Sequence, residues 1–222
     1  MEQRSFQWFA SRLGFFTGSE AGKLMVTSRK KGETFGETAK SYIMKKLAER
    51  ELIDEVKTDE EVFNEYQYIN SVTSKAMQFG TEQEPLARKL IIKELGTMFE
   101  EVASIPHPNV PWFSSSPDGL TPDSTLALEI KCPNIETFMQ YRCNVHDAET
   151  LKAENSIYYW QAMSHMAVTG AKACVFVLFN PFLKKPLYYF NVERDEEAIK
   201  QLEERVVAAN EYIELQQSIF NK

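Results

Sequence analysis

Apolar and polar positions along the chain change period several times, and each change marks a new element. Ser5 ahead of Phe6, Trp8 and Phe9 reads as a short capped helix, and a second is predicted to begin near Ser19, after the turn between Gly14 and Gly18. A helical pattern resumes from about Phe35 to Arg50, whereas the acidic, weakly patterned stretch 51–62 reads as a surface excursion. Thr81-x-x-Glu84 has capping-box spacing, Pro85 fits a first turn, Leu86, Leu90 and Ile91 supply an apolar face, and Gly96 stops the helix. From Thr97 the period falls to two, which predicts strands over 97–105, 112–116 and 126–132 joined as a meander through Pro117-Asp118-Gly119 and Thr121-Pro122-Asp123. Helices are predicted over 134–143 and 151–169, then strands over 172–179 and 186–193 separated by Asn180-Pro181. A last helix from Asp195 puts Ile199, Leu202, Val206, Ala209 and Ile213 on one stripe. The fold class is α/β, with a mixed central sheet flanked by helices.

Composition adds limits to this picture. With 222 residues, 43% hydrophobic and 26% charged, the chain can bury one core, so a single domain over 1–222 is expected. The longest apolar run, Ala173 to Phe179, is far short of a bilayer span, and residues 1–4 carry no signal-peptide pattern, so a cytoplasmic protein away from the membrane is expected. Cys132, Cys143 and Cys174 lack metal-site or disulfide spacing and read as packed thiols. His107 and His146 are expected at the surface and His165 packed on the long helix, none of them in a chemical role. A net charge of −7 argues against a nucleic-acid partner, but only in part, because carboxylates that hold metal ions raise the acidic count. The basic stretches Arg29-Lys30-Lys31, Lys40 to Lys46 and Lys184-Lys185 each read, taken singly, as solvated faces. Trp8, Phe9, Phe15 and Phe16 could stack on bases or simply fill core.

The segment with chemical content runs from Ser115 through Pro117-Asp118-Gly119 to Leu128-Glu129-Ile130-Lys131-Cys132-Pro133. Alternation along a strand sends Glu129 and Lys131 to one face and Leu126, Leu128 and Ile130 to the other. A hairpin can bring the carboxylate of Asp118 beside that of Glu129, and two such groups repel unless a cation lies between them. Hard oxygen donors of this kind suit magnesium or manganese, the ions that assist phosphodiester hydrolysis. Lys131 would orient or deprotonate the attacking water, or stabilise transition-state charge. The same residues also read as an ordinary turn and a solvated strand face.

Company decides between these readings. Trp8-x-x-x-Arg12-Leu13-Gly14-x-x-Thr17-Gly18-Ser19-Glu20, then Gly80-x-x-x-Glu84, Ser116-Pro117-Asp118-Gly119-Leu120, Leu128 to Pro133 and Tyr158-x-x-Gln161 follow one another in an order that resembles the lambda-type, YqaJ-like viral exonuclease family of the Pro-Asp/(Asp/Glu)-x-Lys nuclease superfamily. The likeness implies a restriction-endonuclease-like fold. It implies Asp118, Glu129 and the backbone carbonyl of Ile130 as metal ligands, Lys131 serving the water, and Gln161 contacting that water or Lys131. Glu84 would add a carboxylate, unless it is only the capping-box partner of Thr81, and Tyr158 would line the site or belong to the core. Arg12, Thr17, Ser19 and Ser116 match positions that hold the phosphate at a recessed DNA end.

The activity implied is magnesium-dependent 5′-to-3′ degradation of one strand of linear duplex DNA, leaving 3′ tails for recombination by strand annealing. Two magnesium ions, with manganese able to substitute, a homotrimeric ring, a phage annealing protein and a phage or prophage origin in a bacterial cell come with the resemblance. A structure-specific or restriction-like endonuclease of the superfamily is the alternative, and an inactive DNA-binding module is the second. Helicase-associated nucleases with a four-cysteine cluster are disfavoured by three scattered cysteines.

Overall fold

A computed structural model describes residues 2–71 and 73–220. Helix α1 (Phe6–Ala10) opens on Ser5, whose hydroxyl accepts from the amide of Trp8 as the pattern predicts. Strand β1 (Phe16–Thr17) runs into α2 (Gly18–Ala21) and a 3-10 turn over Gly22–Met25. Thr17 occupies the cap of α2, so Ser19 lies inside that short helix and does not cap it as expected. Helix α3 (Glu37–Arg50) matches the predicted span. Residues 51–62 are more than an excursion, because α4 (Glu55–Thr58) and α5 (Glu60–Asn70) bury Val56 and Phe63 against Leu13. Two such anchors in so polar a stretch are too few to produce a visible period.

Helix α6 (Lys75–Leu95) corrects the capping box. Its cap is Ser74, which accepts from the amide of Met77, and Thr81 lies within the helix with its hydroxyl bonded back to the Met77 carbonyl. Pro85 sits in the helix interior and Gly96 ends it in the left-handed conformation, as predicted. Glu84 is therefore free of any capping duty.

The expected strand 97–105 contracts to a bridge between Glu100 and Leu120 and to β2 (Ile105–Pro106), where proline cannot extend the ladder. Then come β3 (Phe113–Ser115), β4 (Gly119–Leu120) and β5 (Leu126–Lys131). The crossover consists of α7 (Ile135–Asn144), α8 (Ala148–Glu154) and α9 (Ser156–Thr169). The single helix predicted over 151–169 is thus two, broken at Asn155, whose side chain accepts from the amides of Ile157 and Tyr158 and caps α9. Strands β6 (Ala173–Phe179) and β7 (Leu187–Glu193) and helix α10 (Glu196–Phe220) complete the chain, with the predicted α10 stripe fully buried.

The predicted meander splits between two sheets, of order β1-β3-β2 and β4-β5-β6-β7. β5 and β6 run parallel and the other pairs of the larger sheet antiparallel, so it is mixed as expected. Leu128 and Ile130 of β5 pack with Ala87 and Ile91 of α6. The opposite face, through Ala127, Cys174, Phe176 and Leu178, packs with Ala162, Met163 and Met166 of α9 and with the stripe of α10. Helices therefore cover both faces. Cys174 is packed and Cys132 half-buried, but Cys143 is exposed on α7, contrary to expectation. Lys46 also departs from the solvated face predicted for 40–46: it is buried with Glu49 at 2.8 Å.

Candidate active site

β4 pairs with β5 only at Leu120↔Ala127 and Gly119↔Leu128, so the edge of β5 beyond Leu128 has no strand beside it. Asp118 occupies that edge. Its amide donates to the Leu128 carbonyl at 2.9 Å, and its Oδ2 accepts from the Ile130 amide at 2.6 Å. The N–H and C=O of one strand residue point to the same side, which leaves the Ile130 carbonyl facing this edge as well.

Glu129 turns toward α9, as strand alternation requires, and is 1% exposed. Its Oε1 lies 2.5 Å from Lys131 Nζ and its Oε2 2.6 Å from His165 Nε2. Lys131 Nζ donates to Gln161 Oε1 at 3.0 Å and stands 4.7 Å above the ring of Tyr158. Tyr158, Gln161 and His165 share one helical face at spacings of three and four residues. His165 Nδ1 continues the chain of contacts to Ser115 Oγ at 2.8 Å. On the other side of the sheet Glu84 is buried, held by Arg4 and by Arg88, whose Nη2 donates at 3.1 Å. Arg4 has a left-handed backbone, φ 66°.

Burial, then the negative charges of Glu129 and Glu84, push the Asp118 carboxyl well above the usual carboxylate range. Burial acts on Glu129 in the same sense, but Lys131 and His165 outweigh it and hold that carboxyl below its ordinary value. Burial would strip the proton from Lys131; the charge of Glu129 prevails and raises its pKa. Lys131 offsets only part of the upward push on Asp118, so the ionised form of Asp118 would gain from a cation brought beside it. Among the described residues no group of three or more His, Cys, Asp or Glu side chains is arranged around a metal position. Two carboxylates and a backbone carbonyl nevertheless fit an ion such as magnesium, which binds through one or two carboxylates and keeps water in its remaining positions.

The residues predicted for an end-phosphate pocket are brought together only in part. Arg12 Nη1 donates to Ser116 Oγ at 3.3 Å, and its guanidinium covers the Trp8 ring at 3.9 Å. Burial lowers the Arg12 pKa to about 10, which leaves it charged at neutral pH. Thr17 is buried in β1 opposite Ser114, two residues before Ser116, while Ser19 is exposed on α2. A methyl group at Gly18 would lie 2.0 Å from Ser115 Oγ, so this close approach of α2 to β3 requires glycine. Of the four N-terminal aromatics, Phe16 is core, Phe15 leans on Trp112, Trp8 is covered by Arg12, and Phe9 is exposed.

Sequence reasoning missed His165, Ser115, Arg4 and Arg88. For His165 a signal existed: it lies one helical turn after Gln161, on the face already assigned to Tyr158 and Gln161. His146 is exposed as expected, but the His107 side chain is nearly buried and pairs with Glu203 at 3.0 Å.

A family model for the YqaJ-like viral recombinase domain matches residues 7–172. Among solved structures, an alkaline exonuclease (LHK-Exo) from Laribacter hongkongensis superposes with a TM-score of 0.76 at 29% identity, covering 98% of this chain and 96% of that one. LHK-Exo in complex with dAMP gives 0.75 at 30% identity over 97% of this chain and 96% of that one. A phage related exonuclease from Haemophilus somnus 129PT shares the fold, with a TM-score of 0.68 at 18% identity over 93% and 96% of the two chains. No curated protein matches the chain. The alkaline exonuclease match places the mixed sheet in the restriction-endonuclease-like class expected from the sequence.

Proposed function

The chain belongs to the YqaJ-like viral recombinase family and is an exonuclease acting on DNA, and from that premise we propose that it removes nucleotides from the 5′ ends of linear duplex DNA with magnesium, leaving 3′ single-stranded tails. The observation that carries this reading is Asp118 at the open edge of β5, locked by the bond of 2.6 Å from the Ile130 amide and close enough to Glu129 for the two carboxylates to act on each other, with Lys131 paired to Glu129.

Asp118, Glu129 and the Ile130 carbonyl would hold the ion. When bound, a divalent cation neutralises charge on the phosphoryl oxygens and lowers the pKa of a coordinated water. The chain's own residues do the rest. Lys131, kept as an ammonium by Glu129 and fixed by Gln161, donates to the phosphoryl oxygens as negative charge grows on them. Tyr158 supports the amine from the side. Water adds its oxygen to phosphorus, the bond from phosphorus to the 3′ oxygen of the terminal nucleotide breaks, and that oxygen takes a proton. A 5′-mononucleotide leaves, the product class to which the dAMP bound by LHK-Exo belongs. Arg12 and Ser116, already bonded to each other, would receive the 5′ phosphate, with Thr17 and Ser19 at the margin. Glu84 would complete the acidic wall behind Asp118. On the family likeness alone we extend the reading to a homotrimeric ring and a strand-annealing partner.

The test is digestion of end-labelled linear duplex bearing a 5′ phosphate or a 5′ hydroxyl, with magnesium or chelator. Label should be released only with magnesium, as mononucleotide from a phosphorylated end and as nucleoside from a hydroxyl end, and Asp118→Ala and Lys131→Ala should each slow release by about 10²-fold or more. Arg12→Ala should reduce the preference for phosphorylated ends more than it reduces cleavage of hydroxyl ends. Closed circular duplex cut as fast as linear duplex would overturn the reading in favour of an endonuclease.

A further inference from the structure

Beyond the C-terminal ends of β5 and β6 the fold holds an apolar ring out in water. Phe182 is 79% exposed. The loop that bears it is nonetheless fixed: Asn180, itself 2% exposed, donates from Nδ2 to the Pro133 carbonyl at 2.8 Å and accepts at Oδ1 from the Phe182 amide at 3.1 Å. The Asn180 amide closes the loop on the Pro186 carbonyl at 2.9 Å. Phe182 stacks on Phe79 of α6, with ring centroids 6.2 Å apart and planes inclined by 16°. A large ring presented in this way forgoes its burial unless something else covers it.

The charge beside it indicates what does. Lys184 and Lys185 of the same loop are exposed, and neither forms an ion pair with a described residue. Arg142 of α7 adds a further cation, its Nη1 reaching the Lys185 carbonyl at 3.4 Å. In a chain of net charge −7, uncompensated positive charge beside an exposed aromatic ring fits a polyanion with planar groups better than it fits an apolar protein face. The position agrees. Lys131 is in register with Leu178, so Asn180 lies alongside Pro133, two residues beyond Lys131. Phe79 precedes Glu84 on α6 by about 7.5 Å of helix. The ring pair thus borders the segments that carry Lys131 and Glu84.

We propose, resting on the nuclease reading above, that Phe182 and Phe79 with Lys184 and Lys185 form a stacking platform for unpaired nucleotides of the DNA strand that runs past the active site. Bases stack on the Phe182 face, and the lysines meet the phosphates between them.

The test is binding of a short 5′-phosphorylated oligodeoxythymidylate to the full chain in chelator, followed by fluorescence anisotropy. Phe182→Ala should weaken binding by about five- to twentyfold. Phe182→Trp should retain affinity, and its added indole emission should be quenched as the oligonucleotide binds. The double variant Lys184→Ala/Lys185→Ala should reduce the slope of log affinity against log salt by about 1.4. Both Phe182 variants should unfold at the wild-type temperature, since the ring is in solvent. Unchanged affinity in Phe182→Ala overturns the platform, and a change in its oligomeric state instead would assign the ring to a contact between copies. Because cleavage plays no part in this measurement, that result would leave the nuclease reading standing. Conversely, Phe182-dependent binding by a wild-type protein that cleaves no DNA would end the nuclease reading and keep the platform as a nucleic-acid site.

Discussion

Glu129 has both carboxylate oxygens occupied, one by Lys131 and the other by His165, and His165 in turn is held by Ser115. A buried carboxylate with fixed partners on both oxygens has one orientation, which a metal ligand needs. His165→Ala would leave Glu129 Oε2 and Ser115 Oγ without their buried partner, and is expected to cost about 1–3 kcal/mol in urea unfolding. A variant within about 0.5 kcal/mol of wild type would mean that water replaces the imidazole at no loss. The face that carries His165 was legible, since helical period alone aligns it with Tyr158 and Gln161. Its contact with a strand residue 36 positions away was not.

At the scale of elements, α6 shows how local signals compete. Thr81, Glu84 and Pro85 compose a helix start by spacing, but the cap of α6 is Ser74, whose hydroxyl accepts from the Met77 amide. Starting there extends α6 by more than a turn beyond the predicted start and brings Phe79 to the loop of Phe182. Ser74→Ala should therefore cost about 1 kcal/mol in denaturant unfolding, and Thr81→Ala should stay within about 0.5 kcal/mol. The reverse order would restore the capping box. The same competition explains a second departure. Asn155 breaks the predicted helix over 151–169 because its side chain satisfies two amides of the following helix, an alternative that an apolar period does not register. Of the strand expected over 97–105, only the bridge at Glu100 and Ile105 of β2 remain.

For the whole molecule, the balance of charge at the sheet edge links stability to metal. In the ion-free protein Asp118 is buried and sits among Glu129 and Glu84, so neutralising it should help the fold. Asp118→Asn is expected to raise the melting temperature measured by calorimetry in chelator, while abolishing cleavage. Manganese or calcium at about a hundredfold excess over its dissociation constant should stabilise wild type by about 2.7 kcal/mol and leave Asp118→Asn nearly unchanged. A wild-type transition indifferent to divalent ions would refute the assignment of Asp118 and Glu129 as ligands.

By itself the sequence determined the period of most helices and strands, the two faces of β5, and the order of motifs that marks the family, because all of these depend on residues a few positions apart. Only the tertiary structure decided that the strands divide between two sheets, that Arg4 and Arg88 hold Glu84, that His165 backs Glu129, and that Arg12 reaches Ser116. Each of those is a contact, or a missing contact, set by chain closure and packing over long separations, for which no local spacing carries a signal.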